Sequence, residues 1–501
     1  MRSNRWALLF FGLVILSPIG SLFRFVGKEV PVDPGLVSDA LVNSLGVTVS
    51  VVSLSSFLGL SFALLFTFFE FPLRRLFSRL LLLPLAFPAY VVAFLYLGEF
   101  LPPWLSQVVV MQGEPWFLVA ILSLALFPYI YFFCSLGLNK TCQTEWDTEK
   151  ILGAGTWSFF RHCLLPKVFP FLISGQMLVL FECLSDFGAA SMVNVPVMTT
   201  LIYKSWFDLF SFPSAVAISL KLLFVVSFFL IIESFIKSKT DLKTVKPSQP
   251  LRREPLPVLF YFPAYLLLSF VLFFGLLFPI YQILGWTWEG LQWSLFVETL
   301  EALALTLSLA VGATLLVLIS SVVISLWLRS QKASLNGWMG LSTVGYSLPG
   351  SVLAVGVYGL SLVFFPRVSV MLSLTLLVLA LAHKFLTIGF RPIGDTVMSW
   401  SANLDEMSDL LSVSFRRKWS HFHWPSLKPT LALASFLITI EVMKEMPLTL
   451  MLAPSGYQTL SIKIFNFTSE GEWEKAALPG LMLILVGFCS VSLMQNQGEK
   501  I

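Results

Sequence analysis

Four carboxylates stand where a carboxylate is costly. Glu182 and Asp186 lie in one long apolar stretch and Glu441 and Glu445 in another, at matched depth. A charge at the centre of a membrane helix costs roughly 2.5–3.5 kcal/mol on insertion scales, which makes such residues candidates for function. Their oxygens are hard ligands suited to a hard cation in transit; alternatively they shape a closed gate. The plainer reading is structural: pairing with Lys444 or Lys221, or hydrogen bonds to neighbouring backbone. A shift of 259 positions carries Glu182 onto Glu441 and Asp186 onto Glu445, and also Thr200-Leu201 onto Thr459-Leu460.

The elements that position these acids are membrane helices. Of 501 residues, 57% are hydrophobic and 12% charged, half the roughly 25% charge of soluble domains. Runs of the roughly 20 apolar residues that a membrane helix needs fall at 6–26, 41–69, 76–100, 117–138, 168–190 and 214–236, then at 257–283, 296–328, 338–365, 368–390, 428–450 and 476–495. Between the two sets, residues 237–256 form a basic, Pro-containing linker. FPAYVVAFLYL (87–97) resembles LPGSVLAVGVYGL (348–360). The expected fold is an all-α polytopic membrane protein of about 12 transmembrane helices, two parallel six-helix repeats spanning 1–236 and 257–501. A pseudo-twofold axis along the membrane normal and a pathway between the halves follow from that repeat.

Basic residues set the orientation. Arg2, Arg5, Arg74, Arg75, Arg79, the linker, Arg329 and Arg416–Lys418 fall on one side of alternating spans, whereas the opposite loops carry Asp33, Glu99, Glu114, Glu289 and Glu470. Both termini are therefore expected in the cytoplasm. The first run is basic then apolar with no convincing A-x-A site after it, and is read as an uncleaved first helix.

Two polar islands interrupt the apolar runs on the cytoplasmic side, Asp147–Pro170 and Glu406–Pro429. The same 13-residue spacing separates Gly153 from Pro166 and Ser412 from Pro425. An acid near a helix start suits the dipole, Gly153 permits a sharp turn, and Pro166 and Pro425 open the next span. Ile151, Leu152, Trp157, Phe159 and Phe160 could fill a groove on a soluble partner. Without a partner the same island would be an amphipathic interfacial helix; the duplication favours docking.

Other chemistries find no residues. The five Cys are scattered without a CxxC pair, and His421 and His423 are two apart, on different helix faces. A net charge of +4 does not argue for nucleic acid. The sequence contains neither G-x-x-x-x-G-K-[ST] nor H-E-x-x-H.

The islands resemble the cytoplasmic loop of permease subunits of ATP-binding-cassette importers, a pattern of Glu-Ala-Ala, Gly, then Leu-Pro. Asp147, Gly153, Leu165 and Pro166 match in the first, Glu406 and Pro425 in the second. Thr148-Glu149 and Met407-Ser408 replace the Ala pair, Ser412 the Gly and Trp424 the Leu. The resemblance covers the whole chain, since fused twelve-span permeases are typical of the ferric-iron branch, whose fifth-span region is similar to ECLSDFGAASMVNVPVMTTLIYKSWF (182–207). It implies a type I importer permease in the bacterial inner membrane that binds no cofactor itself. ATP would be used by two separate ATPase subunits meeting the islands, with a periplasmic substrate-binding protein on the other face and lipid around the spans. Related permeases carry thiamine, polyamine, phosphonate or sulfate. An ion-coupled secondary transporter, or a polytopic membrane enzyme, would be the alternatives in kind.

Overall fold

The computed structural model describes residues 2–27, 32–97, 113–139, 160–239, 253–331, 335–365, 369–401 and 414–498. The described residues of each of the twelve apolar runs are largely helical. Among the described residues, eight helices are long and apolar enough to cross a membrane, or ten spans if each of two bent pairs counts as one. The only strands among them are the two-residue segments β1 (Phe69–Glu70) and β2 (Glu254–Pro255), paired in parallel. The chain forms two compact units, each drawing pieces from both sides of the linker: residues 1–31, 202–221 and 292–466 in one, and 32–201, 222–291 and 467–501 in the other.

In the unit built mainly from the first half, α1 (Arg2–Leu22) is absent and the core is α2 (Pro34–Phe68), α5 (Pro115–Leu138) and α6 (Leu165–Ser185). Asp33 starts α2 by accepting a 2.9 Å hydrogen bond from Gly35 N, with Pro34 in the first turn. Small residues let backbones approach, as membrane helices require. A Cβ on Gly59 would stand 2.8 Å from Ile130 Cβ, and one on Gly175 3.1 Å from Ile130 Cα. Between α2 and α5, the helices α3 (Arg74–Leu80) and α4 (Ala89–Leu97) belong to a pair bent by 88°. The bend lies at Pro88, which drives Phe87 into extended backbone.

The other unit repeats this plan. Its core is α12 (Trp293–Ser330), α15 (Val370–Ser399) and α17 (Trp424–Lys444). Here the fit is inverted: Gly389, 259 positions after Ile130, takes the close contact, and a Cβ there would meet Val317 at 2.7 Å and Ile438 at 3.2 Å. Helices α13 (Asn336–Ser347) and α14 (Gly350–Phe364) bend by 99° at Pro349. The N-terminal helix packs in this unit, where Ser21 Oγ donates to Gly356 O at 2.7 Å and a Cβ on Gly356 would meet Pro18 O at 2.7 Å. In the first unit, α20 (Trp473–Gly498) lies against α11 (Phe278–Glu289) and the 83–86 turn, with a Cβ on Gly487 excluded by the Ala86 backbone.

Candidate functional site: two carboxylate-held helix breaks

In each unit a span stops on an acid and turns into a short helix. Helix α6 ends at Ser185, and Asp186 is extended (φ −65°, ψ 126°). Its carboxylate accepts from Ala190 N at 2.9 Å and Ala189 N at 3.4 Å, so it caps α7 (Gly188–Val193). Thr199 Oγ1 donates to the Asp186 carbonyl at 2.5 Å. Gly188 is needed because a Cβ there would stand 2.8 Å from Tyr90 Cβ. Asn194, of the type that tolerates left-handed backbone, ends α7 at φ 61°. Helix α8 (Met198–Phe207) then starts with Met198 N donating to Ser44 Oγ of α2 at 2.9 Å.

The second copy uses the same parts. Helix α17 ends at Lys444, Glu445 is extended (φ −69°, ψ 115°), and α18 (Pro447–Leu452) follows. Glu445 Oε1 accepts from Leu448 N at 3.4 Å, and Thr449 Oγ1 donates to its carbonyl at 2.8 Å. Helix α19 (Leu460–Ser469) starts with Leu460 N donating to Thr306 Oγ1 of α12 at 2.9 Å. Here a cation is added: Lys384 Nζ of α15 lies 2.6 Å from Glu445 Oε2, with both side chains under one-tenth exposed. Gly350 makes room, since a Cβ would collide with the Glu445 carboxylate and sit 3.3 Å from Lys384 Nζ. At the position 259 residues before Lys384 stands Ala125. Beside Asp186 there is instead a cavity of about 10 Å³, lined by Ser44, Cys183, Asp186 and Thr199 among apolar residues, enough for one water.

Asp186 and Glu445 are thus brought onto backbone and, for Glu445, onto a buried lysine. Glu182 and Glu441 lie one turn earlier on the same helices and are half-buried. The partner of Glu445 is Lys384 rather than Lys444 or Lys221. Sequence reasoning missed it, although a lone lysine inside the 368–390 apolar run carried the same signal as the acids. The alignment of Thr200-Leu201 with Thr459-Leu460 is corrected by three residues. Met198 matches Leu460, because seven residues (453–459) join α18 to α19 where four (194–197) join α7 to α8. The Ser44 and Thr306 hydrogen bonds fix that register. Among the described residues no three His, Cys, Asp or Glu side chains converge as a metal site.

Of the island residues, Leu165, Pro166 and Pro425 are described; Asp147, Gly153, Glu406 and Ser412 lie outside the described residues. Both islands lead into a π-helical turn, Phe160–Leu164 and Trp419–His423, followed by Leu165-Pro166 and Trp424-Pro425 as the first two residues of the span. A proline lacks the N–H for an i→i−4 bond and its ring crowds that carbonyl, so the preceding turn widens. Around the second island, Arg329 Nη1 donates to Val397 O (2.9 Å) and Trp400 O (3.0 Å), closing the end of α15. The Trp400 and His423 rings meet with centroids 4.1 Å apart at a 31° tilt, and Trp400 donates from Nε1 to Ser426 Oγ at 2.8 Å. Trp400, at the end of α15, and His423 and Ser426, at the start of α17, thus share one side-chain cluster.

Residues 55–240 match the family described as binding-protein-dependent transport system inner membrane component. The chain is 25% identical over 484 residues to the Fe(3+)-transport system permease protein FbpB 2 of Haemophilus influenzae, covering 93% of this chain and 90% of that one. It is 26% identical to the sulfate transport system permease protein CysT of Escherichia coli over 42% of this chain and 83% of CysT. Against the molybdenum transport system permease protein ModB of Escherichia coli it is 29% identical over 35% of this chain and 80% of ModB. A multi-pass helical chain, a repeated span break and a likeness running through both halves agree: residues 55–240 match the binding-protein-dependent inner-membrane components, and the chain as a whole is similar to a fused two-half permease of an ATP-binding-cassette importer.

Proposed function

We propose that the chain is the permease of a ferric-iron importer, with 1–236 and 257–501 as a tandem duplication and both termini in the cytoplasm. The observation that carries the cargo is the extent of likeness. The iron permease shares the fused two-half length and matches through both halves, whereas the sulfate and molybdenum permeases are shorter chains matched over 83% and 80% of their own length. Acids recurring in both halves also suit a cation better than sulfate or molybdate.

Two ATPase subunits would meet the two islands, around Asp147, Gly153, Leu165 and Pro166 and around Glu406, Ser412 and Pro425. ATP is bound there and not by this chain. A periplasmic binding protein would deliver cargo to the opposite face. The π turns at 160–164 and 419–423 run on into α6 and α17 as continuous helix, so motion given to these turns passes to the spans. Asp186 and Glu445 then fix the break at the far end of each span, the gate-shaping role. Glu182 and Glu441, one turn nearer the cytoplasm, are the candidates to meet a cation in transit. ATP shifts the equilibrium between outward and inward forms only through contacts that differ between them.

The test is uptake of labelled ferric iron, and separately of labelled sulfate, by cells lacking the chain and by the same cells with it restored. Restoration of iron uptake alone is expected; restoration of sulfate uptake alone would overturn the cargo.

A further inference from the structure

The turn joining α8 to α9 (Phe212–Lys239) holds a large apolar residue in left-handed backbone where the corresponding turn of the other half holds a glycine. Phe210 has φ 51°, in the left-handed region that penalises a side chain, and at 89% it is the most exposed large hydrophobic among the described residues. The matching turn, between α19 and α20, places Gly471 there at φ 77°. In each turn the residue after the left-handed one closes the reversal, Ser211 N donating to Ser205 O at 2.9 Å across six residues and Glu472 N to Phe467 O at 2.8 Å across five. Chain reversal thus needs glycine and polar neighbours, as in Ser469-Glu470-Gly471-Glu472. The first half carries Leu209-Phe210 instead, at a conformational cost and with Leu209 also 59% exposed. Strain kept at a surface position points to a role there.

The turn is also rigid. Asp208 N and Leu209 N both donate to Lys204 O, at 2.9 and 3.0 Å, and Ser211 Oγ bonds Ser214 Oγ at 2.6 Å. Beneath it Trp206 packs on Phe207, Phe212 and Tyr358 with ring centroids 4.8–5.1 Å apart, and Tyr203 on Phe465 at 5.9 Å. An apolar tip on a fixed aromatic base is the form of an interface hot spot, which is enriched in aromatic anchors. It stands at the end of α9 opposite the basic linker.

We propose that Phe210, with Leu209, anchors the soluble binding protein that delivers cargo; this rests on the importer reading above. A lipid-facing aromatic needs no strained backbone. The exposed Asp208 alongside would in addition be repelled by anionic headgroups.

The test places a benzophenone amino acid at position 210 of the full chain in living cells. The expected product on illumination is an adduct with a secreted solute-binding protein, identified by mass spectrometry; adducts with phospholipid alone, or none, overturn the proposal. That captured protein is then titrated onto the transporter reconstituted with its ATPase subunits. Phe210→Gly is expected to raise the concentration giving half-maximal ATP hydrolysis by about tenfold. Its unfolding temperature should equal or exceed that of the wild type, because the strain is relieved. An unchanged half-maximal concentration overturns the anchor while leaving the importer reading intact. A wild-type complex that answers to no binding protein refutes the importer reading, and the anchor with it.

Discussion

Replacing Lys384 by Met removes the charge and keeps much of the volume, leaving Glu445 buried beside Gly350 with only the long Leu448 N contact at 3.4 Å. The carboxylate has no room on the Gly350 side, where it already excludes a Cβ, and cannot swing there to escape. Breaking a buried pair by removing one partner costs about 3–5 kcal/mol. At roughly 2–4 °C per kcal/mol for a domain of 150–250 residues, Lys384→Met should lower the unfolding temperature by roughly 10 °C. Glu445→Gln, which strands the lysine, should fall by a similar amount. The double variant restores neutrality and is expected to lie within about 2 kcal/mol of the wild type, since buried pairs and neutral replacements of like volume are often equivalent. The assay is thermal unfolding of purified protein in detergent, followed by loss of the monodisperse peak. Single shifts below 2 °C, or a double shift equal to the sum of the singles, would refute the buried pair as the brace of the second break.

Gly188→Ala should destabilise by about 1–3 kcal/mol, because the new methyl meets Tyr90 Cβ at 2.8 Å in a packed region; the same thermal assay checks it. Arg329→Ala, which frees two carbonyls closing α15, should cost about 1.5–3 kcal/mol as a charged hydrogen-bond donor is lost. It should also lower the ions moved per ATP, measured by parallel uptake and phosphate release. Gly153→Pro should damage that ratio more than Ser412→Ala, since the second island already accommodates a Cβ; equal losses would contradict the ordering.

Much of this was legible in the sequence because hydropathy and proline act locally. The apolar runs became helices, and Pro166 and Pro425 open spans; the runs 76–100 and 338–365 read as single spans, whereas Pro88 and Pro349 bend them. The recurrence of Asp186 as Glu445 held because both perform one capping task. What depends on side-chain direction was hidden. In helices apolar on every face, no amphipathic stripe says which side is packed, so the reach of Lys384 to Glu445 and of Ser44 and Thr306 to α8 and α19 could not be read. The slip at Thr200 arose because a loop absorbs three extra residues without disturbing the helices around it. Nor does periodicity reveal that α1 packs among second-half helices, since that contact depends on a bare Gly356 some 335 positions from Ser21.

The most direct measurement is uptake of labelled ferric iron into vesicles holding the chain, its ATPase subunits and the binding protein, with ion gradients collapsed. The expected result is accumulation that requires ATP and stops when the ATPase sites are inactivated. Accumulation driven by an ion gradient in the absence of ATP would contradict the importer account.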